Sequence, residues 1–316
     1  MSSFVIGIDG GGTSTRAALL DLDGKLLAVG QGGTSNIDDV GVQVAEQNID
    51  RAVAAAEVQA GIARQPAAAI FLGMAGVTSE ADRDHIRQIA RNLNLAPDAA
   101  IGVDHDCRAA LAGGLSGRAG IVQIIGTGSS CYGRTADGRN WMSGGRGHLV
   151  SDEGSGCWMG LQAIRAAVRA HDGRGPDTPL LAGVLAALNI NEIDDVLNRL
   201  YVVGISRAEL AALAPMVVRE AMAGDAAALG IVQKGAYDVA ELVEAVARKL
   251  QMGAPEVCIV GGLLNTGPII FDSYRAAMLR RVPTADVKTA EQPPVMGAAL
   301  LALELSAARN GPGTGM

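Results

Sequence analysis

The sequence predicts an α/β protein built from two duplicated halves. Apolar strand patterns alternate with helical patterns along the chain, which is typical of α/β folds. One pattern occurs twice: an apolar strand, a loop of Gly, Thr and Ser, a second strand and an Asp-Gly turn, at residues 4–24 and again at 120–138. The loops begin at Gly10 and Gly126, 116 residues apart, so we interpret the repeat as an internal duplication.

Periodicity and turn residues predict the individual elements. In the first half we expect strands at 4–8, 16–20, 25–30, 69–75 and 100–103. We expect helices there at 38–58, 80–93 and 108–115. In the second half we expect strands at 120–125, 131–134 and 257–260. We expect helices there at 153–170, 179–188, 207–223, 226–250, 271–281 and 295–307. No helix follows the first glycine loop and no GK[ST] is present, which excludes a P-loop and a dinucleotide fingerprint.

The composition argues against several classes of protein. The 316 residues are 49% apolar, enough for a sizeable core, and the net charge of −7 suits neither nucleic acid nor an anionic membrane. The cysteines at 107, 131, 157 and 258 form no CxxC pair, so we expect no disulfide framework and no structural zinc site. The sequence has no signal-peptide pattern and no membrane-spanning stretch, so we expect a cytoplasmic protein.

The two glycine loops are candidate phosphate-binding sites. Glycines without Cβ let backbone N–H groups approach phosphate oxygens, and Thr13 adds a hydroxyl donor. Asp9, which leads the first loop, is suited to hold Mg²⁺ through water. Each loop alone has an alternative interpretation as an ordinary turn between strands. Because the loops are equivalent, we expect Gly10–Thr13 and Gly126–Ser129 to clamp one polyphosphate.

Two further segments have both a functional and a structural interpretation. Gly261-Gly262 follows a strand, where small residues either leave room for a purine or ribose or allow close helix–strand packing. Asp104 and Asp106 flank His105 at the end of a buried strand, where open α/β sheets place their ligand crevice. For Asp104 we favour a helix cap or another structural role, whereas for Asp106 a proton acceptor and a cap remain open.

Polar residues elsewhere also have two interpretations. The segment Ser151–Ser155 precedes a long helix, and its acidic side chains, Asp152 among them, either accept hydrogen bonds from sugar hydroxyls or belong to a capping arrangement for that helix. Asn36 is either a sugar contact or a turn residue that leads a helix. His148 is expected to be a packed, hydrogen-bonded histidine.

With these residues in view, the sequence resembles the N-acetylglucosamine kinase and BadF/BadG-type ATPase family, part of the sugar kinase, actin and heat-shock chaperone ATPase superfamily. The resemblance covers roughly Val5 to Leu303. Its segments are "GIDGGGTSTRAALLD", "GGTSN", "VDHDCRAALAGG", "GTGSSCYGRTADG", "GGRGHLVSDEGSGCWMGL" and "VGG". The segment "SDEGSGCWMGL", followed by "DGRGPDTPL", is similar to bacterial glucosamine and N-acetylglucosamine kinases.

The resemblance implies a fold and an activity. The fold is a pair of ribonuclease-H-like, actin-like ATPase lobes around a cleft. We expect an N-terminal lobe of residues 1–115 and 295–308, a C-terminal lobe of residues 116–294 and a frayed tail at 309–316. The activity is transfer of phosphate from ATP, with Mg²⁺ as the one metal, to the 6-hydroxyl of N-acetylglucosamine or glucosamine. Relatives form homodimers, and the apolar second half is the candidate interface.

The resemblance also assigns roles by position. Asp106 matches the catalytic base, and Asp9 matches the carboxylate associated with Mg²⁺. The residues that match phosphate contacts are Gly11, Gly12, Thr13, Gly126, Thr127, Gly128 and Ser129. Those that match the adenosine motif are Gly261 and Gly262, and those that match sugar contacts are Asn36, Thr127 and Asp152.

The chain departs from the family pattern at two positions. Arg146 replaces an aromatic residue beside the sugar, and we include it among the sugar-binding residues, while Ser151 replaces a glycine. Two other functions stay as alternatives: an ATPase activator of a radical dehydratase or reductase, which would need a cysteine-held iron–sulfur cluster, and a non-catalytic sugar sensor. Aromatic residues, the usual platform of a sugar sensor, are only 3% of the chain.

Overall fold

The computed structural model describes residues 4–310, which form two compact units. Within that range, unit 1 comprises residues 4–118 and 290–310, and unit 2 comprises residues 119–289. Residues 311–316, most of the predicted frayed tail, lie outside the described range. None of the helices in residues 4–310 has the length and apolar character needed to cross a membrane.

Unit 1 contains a mixed five-stranded sheet. Its strands are β1 (Phe4–Gly10), β2 (Thr15–Asp21), β3 (Leu26–Gly32), β4 (Ile70–Met74) and β5 (Ile101–His105). The strand order is β3-β2-β1-β4-β5, in which β1, β2 and β3 pair antiparallel and β4 and β5 continue in parallel. Its first helices are α1 (Ile37–Ala60), which has a non-helical residue at Gly41, α2 (Glu80–Asn92) and α3 (Asp106–Gly114).

Unit 2 repeats this sheet and adds more helices. Its strands are β6 (Gly120–Ile125), β7 (Ser129–Arg134), β8 (Asn140–Gly144), β9 (Glu256–Val260) and β10 (Asp286–Thr289). Read from β8, the order is β8-β7-β6-β9-β10, with the same antiparallel and parallel pairings as in unit 1. Its helices are α4 (Gly156–His171), α5 (Leu180–Leu188), α6 (Arg207–Ala211), α7 (Ala214–Met222), α8 (Ala226–Leu250) and α9 (Pro268–Arg281).

The last helix, α10 (Pro294–Asn310), returns to unit 1. It packs on the sheet with buried alanines such as Ala298 and Ala302, in a core that also contains Val5 and Phe71. A second core of unit 1 lies among the sheet, α1 and α2, and unit 2 has one large core. Burial of these apolar faces is the main force that holds each unit together.

The identical strand order confirms the predicted duplication and the ribonuclease-H-like fold class. Several boundaries differ from the predictions. The predicted helix at 207–223 is two helices, because Pro215, at the start of α7, has no N–H to continue an earlier turn. Strands β8 and β10 were not predicted, since both are short edge strands with few apolar residues.

Candidate active site

The first glycine loop connects β1 to β2 and presents free backbone donors. Gly11 N–H donates to Ser14 O at 3.0 Å, which closes the turn, and Thr34 Oγ1 donates to Gly11 O at 3.0 Å. Within residues 4–310, the N–H groups of Gly12 and Thr13 have no acceptor. Two adjacent N–H groups that point out of a turn can bind an anion, so this loop is suited to phosphate oxygens.

Asp9 lies on β1 directly before this loop and is partly buried. Burial, followed by repulsion from the Asp106 carboxylate, raises the pKa of Asp9 to about 7, although Arg16 acts in the opposite direction. The repulsion shows that β1 and the start of α3 bring two carboxyl groups of unit 1 near each other.

This raised pKa predicts a pH-dependent stability in the absence of nucleotide and metal. Between about pH 4 and pH 7 the unfolded Asp9 ionises while the folded one keeps its proton, so the free energy of unfolding falls as pH rises and the loss is complete above about pH 7. Asp9→Asn cannot ionise. We expect its stability advantage over the wild type to be small at pH 4.5, about 1 kcal/mol, and to reach up to roughly 4 kcal/mol at pH 8, at about 1.4 kcal/mol per pKa unit.

Denaturant titrations of both proteins at pH 4.5 and pH 8 measure this difference. Asp23→Asn, at an exposed position in the turn between β2 and β3, is the matched control and should show no gain at pH 8. An Asp9→Asn protein without extra stability at pH 8 would contradict the raised pKa.

Asp106 is the first residue of α3, directly after β5. Its Oδ1 accepts a hydrogen bond from Cys107 Sγ at 3.4 Å. The predicted placement of Asp106 at the start of a helix therefore agrees with the structure. Its role as a proton acceptor stays a prediction.

Asp104 has a different environment. Its Oδ1 accepts from Arg83 Nη2 at 3.0 Å, and its Oδ2 lies 3.8 Å from Arg108 Nη1. The residue at the N-cap of α3 is His105, so the prediction that Asp104 caps this helix was wrong. The other interpretation, a structural role, agrees with the ion pairs that Asp104 forms with α2 and α3.

Asn36 caps α1. Its Oδ1 accepts from Asp38 N–H at 3.2 Å, and its Nδ2 donates to Asp39 Oδ2 at 2.8 Å. The interpretation as a residue that leads a helix is therefore correct. The sugar contact stays a prediction.

The second glycine loop connects β6 to β7 and is held by α4. Gly126 N–H donates to Gly128 O at 2.9 Å, while Gly156 N–H and Cys157 N–H donate to Gly126 O at 2.8 Å and to Thr127 O at 3.1 Å. These bonds leave the N–H groups of Thr127 and Gly128 without an acceptor in the described part of the chain. Like the first loop, this one therefore presents two adjacent backbone donors.

Asp152 lies against the second loop and is 4% exposed. Its Oδ1 accepts from Ser129 N–H at 3.3 Å, and its Oδ2 lies 3.5 Å from Arg207 Nη2. Burial raises the pKa of Asp152 above its ordinary value, while the Ser129 N–H and Arg207 act in the opposite direction. The N-cap of α4 is Ser155, so the capping interpretation of the segment Ser151–Ser155 is correct, with Ser155 rather than Asp152 as the cap. The sugar contact of Asp152 stays a prediction.

The glycines at the end of β9 differ in their surroundings. Gly261 has φ +123°, and a Cβ there would lie 2.2 Å from Ile125 O. Gly262 begins a short 3₁₀ turn, Gly262–Thr266, and has no heavy atom within 4 Å of its Cβ position. Close packing therefore explains Gly261, and of these two glycines Gly262 is the one with open space beside it.

The remaining predicted site residue, Arg146, is exposed in a segment with three positive-φ glycines, Gly144, Gly145 and Gly147. Within residues 4–310 its side chain forms no hydrogen bond or ion pair, and its contact with a sugar stays a prediction. His148 is also exposed, which contradicts its prediction as a packed histidine.

Arg207, which the sequence reasoning did not single out, also lies beside Asp152 and the second loop. It begins α6, 55 residues after its partner Asp152, and no glycine motif or carboxylate pattern surrounds it. The one available signal was an arginine directly after a helix-capping serine, Ser206, which is too common to indicate a site.

The fold and the loops together define a class of protein. Two sheets of the same order, each with a glycine turn between its first two strands, are the mark of the ribonuclease-H-like, actin-like ATPase fold. The chain belongs to the BadF/BadG/BcrA/BcrD ATPase family, whose model matches residues 6–302. Membership of an ATPase family makes ATP the nucleotide that the chain uses.

Individual relatives are sugar kinases by name. The chain is 33% identical over 301 residues to the N-acetylmuramic acid/N-acetylglucosamine kinase of Clostridium acetobutylicum, an alignment that covers 95% of this chain and 98% of the relative. It is 31% identical over 267 residues to the glucosamine kinase of Vibrio cholerae, covering 83% and 85%. A crystal structure from Chromobacterium violaceum, provisionally assigned as an N-acetylglucosamine kinase, matches with a TM-score of 0.76 at 30% identity, covering 95% and 99%.

Proposed function

We propose that this protein transfers the γ-phosphoryl group of ATP to the 6-hydroxyl of an amino sugar, N-acetylglucosamine or glucosamine. The kinase names of relatives that align over most of the chain support this proposal. The observation that carries it is the pair of equivalent glycine loops, each with two adjacent N–H groups that have no acceptor within residues 4–310.

The nucleotide residues follow from these loops. We assign the phosphates of ATP to Gly11, Gly12 and Thr13 and to Gly126, Thr127, Gly128 and Ser129. Backbone donors suit this task because they are held by the fold and need no rearrangement when the phosphates arrive. We assign adenosine to the Gly261-Gly262 segment, where the open space beside Gly262 is the supporting observation.

Mg²⁺ fits the donor set beside the first loop. It prefers carboxylate oxygens and retained water molecules as ligands. The ionised carboxylate of Asp9 is destabilised by burial and by repulsion from Asp106. A cation there would offset this destabilisation, so we assign Asp9 as its ligand through water. When bound, Mg²⁺ would neutralise negative charge on the phosphates.

Asp106 is the proposed proton acceptor. A sugar hydroxyl is a weak nucleophile at neutral pH, so its proton must move to a base as the phosphoryl group is transferred. Among the carboxylates on β5 and at the start of α3, Asp104 is engaged by Arg83, whereas the Asp106 carboxylate has no basic partner in an ion pair within residues 4–310. We assign sugar contacts to Asn36, Thr127, Arg146 and Asp152.

A sugar panel tests the proposal. ADP release is measured by a coupled assay with N-acetylglucosamine, glucosamine, N-acetylmuramic acid and glucose, and the phosphorylated position is identified by NMR. We expect ADP release to depend on the sugar and the product of the best substrate to be the 6-phosphate. ATP hydrolysis that no sugar in the panel stimulates would contradict the kinase proposal.

The burial of the cysteines argues against the ATPase-activator alternative. That function would need cysteine thiols at a surface where two copies share an iron–sulfur cluster. Cys107, Cys131, Cys157 and Cys258 are all buried, and burial raises the pKa of the Cys131 and Cys157 thiols. A purified protein without visible absorbance from a cluster is therefore expected.

We further propose a cytoplasmic homodimer that pairs through unit 2. The supporting observation is a run of exposed apolar side chains in unit 2, Leu197, Tyr201, Val202 and Val203, which are 66–81% exposed. Exposed apolar runs of this kind are typical of interaction surfaces. Sedimentation at micromolar concentration tests the state, and a monomer there would contradict it.

A further inference from the structure

The guanidinium group of Arg207 lies beside the second glycine loop, within unit 2. Its Nη2 is 3.5 Å from Asp152 Oδ2. A methyl group placed on Gly128 would be 3.2 Å from the same Nη2 and 3.0 Å from Asp152 Oδ2. Arg207 therefore lies directly against the residue whose N–H is one of the two free donors of this loop.

The position of Arg207 is set by close packing of α6 on α4. A Cβ at Gly160 of α4 would be 1.9 Å from Leu210 O, so only glycine allows α6 to approach this closely. The start of α6 is fixed by reciprocal hydrogen bonds between Ser206 and Glu209, a capping box. The backbone of Arg207 is thus held beside the loop by features that do not involve its own charge.

The charge of Arg207 is only partly used in this arrangement. A guanidinium has five N–H donors, and the one carboxylate in contact accepts at 3.5 Å, the long limit of a hydrogen bond. The Nε atom is buried and has no hydrogen-bond partner, although the side chain as a whole is 41% exposed. Unused donors of Arg207 therefore lie beside Gly128, a residue of the loop whose own N–H has no acceptor within residues 4–310.

We propose that Arg207 binds a phosphate oxygen of the nucleotide, together with the backbone N–H groups of Thr127 and Gly128. The inference rests on the proposed nucleotide function of this loop. A planar guanidinium fits phosphate oxygens through paired hydrogen bonds, and a phosphate carries more negative charge than the single Asp152 carboxylate. Arg207 thus adds to the second loop the positive side chain that its glycines, threonine and serine lack.

A purely structural role is the competing explanation. In that case Arg207 would serve only to neutralise the buried Asp152, and its loss would affect stability and the binding of all ligands alike. The two explanations differ for a ligand without phosphates. A phosphate-binding Arg207 matters for ADP and ATP but not for adenosine.

Calorimetric titration of the full-length protein with ADP and with adenosine separates the explanations. We expect Arg207→Gln to weaken ADP binding about 10- to 100-fold, the range for loss of a charge-assisted hydrogen bond, and to change adenosine binding less than about twofold. Arg207→Lys keeps the charge without the planar fork and should recover part of the ADP affinity. Arg219→Gln, an exposed arginine paired with Glu220, is the control and should leave both affinities unchanged.

Equal weakening of ADP and adenosine, or unchanged ADP binding in Arg207→Gln, would overturn the inference. Thermal unfolding of each variant shows whether it is folded. If Arg207→Gln does not fold, Arg207→Lys provides the test. This variant keeps the positive charge but lacks the planar guanidinium, so unaltered ADP affinity and stability in it would also overturn the inference. The outcome is distinct from that of the sugar panel: a protein that binds ADP through Arg207 but phosphorylates no sugar refutes the kinase proposal alone.

Discussion

Asp106→Asn is expected to lower kcat by about 10²- to 10⁴-fold while ATP affinity stays nearly unchanged. The substitution preserves the shape of the side chain at the start of α3 but removes its ability to accept a proton. Without a base, the sugar hydroxyl must attack the γ-phosphate with its proton still attached. Because Asp106 is not assigned to the nucleotide, ATP binding should survive.

Asp106→Asn should also change the ionisation of Asp9, so kcat must be compared at a pH where this change has no effect. The Asp106 carboxylate helps to raise the pKa of Asp9 to about 7, so Asp106→Asn should lower the pKa of Asp9. Comparing kcat at pH 8 or above, where Asp9 is ionised in both proteins, isolates the effect of the base. A folded Asp106→Asn protein that keeps more than about a tenth of wild-type kcat, a barrier change below about 1.4 kcal/mol, would show that Asp106 is not the base.

Asp104→Asn is the matched control for this variant. It lies two residues away, and its carboxylate pairs with Arg83 and lies near Arg108, with these side chains only 21–26% exposed. We expect it to reduce the free energy of unfolding by about 1–2 kcal/mol, because a partly buried ion pair is broken. Its kcat should remain close to that of the wild type.

Gly261→Ala is expected to destabilise unit 2 by roughly 3–6 kcal/mol. Two costs add: Gly261 has φ +123°, which side chains rarely adopt, and the new Cβ would lie 2.2 Å from Ile125 O at the end of β6. Neither cost can be relieved by a side-chain rotation, because the close atoms belong to the backbone. Denaturant unfolding of the purified variant measures the loss.

Gly262→Ala tests the neighbouring glycine under matched conditions. It adds the same methyl group one residue later, where the φ angle is ordinary and no heavy atom lies within 4 Å. Its stability should stay within about 0.5 kcal/mol of the wild type, whereas ATP binding should weaken if adenosine occupies the space beside it. Equal stability of the two variants would contradict the close-packing explanation for Gly261.

Much of the fold could be predicted because its signals are local. Apolar runs that end in Gly or Asp indicate three of its features: the hairpin between β1 and β2, its counterpart between β6 and β7, and the strand before Asp106. Periodicity also located both ends of α1, α2 and α8 to within two residues. It failed for α6 and α7, where a proline in an apolar helical pattern divides one predicted helix into two.

The sequence by itself determined the duplicated α/β fold, the two glycine loops and the candidate base Asp106, since each depends on residues that are neighbours in the chain. Only the tertiary structure decided which polar groups pair. It assigned Asp104 to Arg83, Asn36 to the cap of α1 and Asp152 to Ser129 N–H, and it brought Arg207 against Gly128. The physical reason is that these contacts depend on how closely helices and strands pack, as at Gly160 and Gly261, where the absence of one Cβ sets positions that no local pattern records.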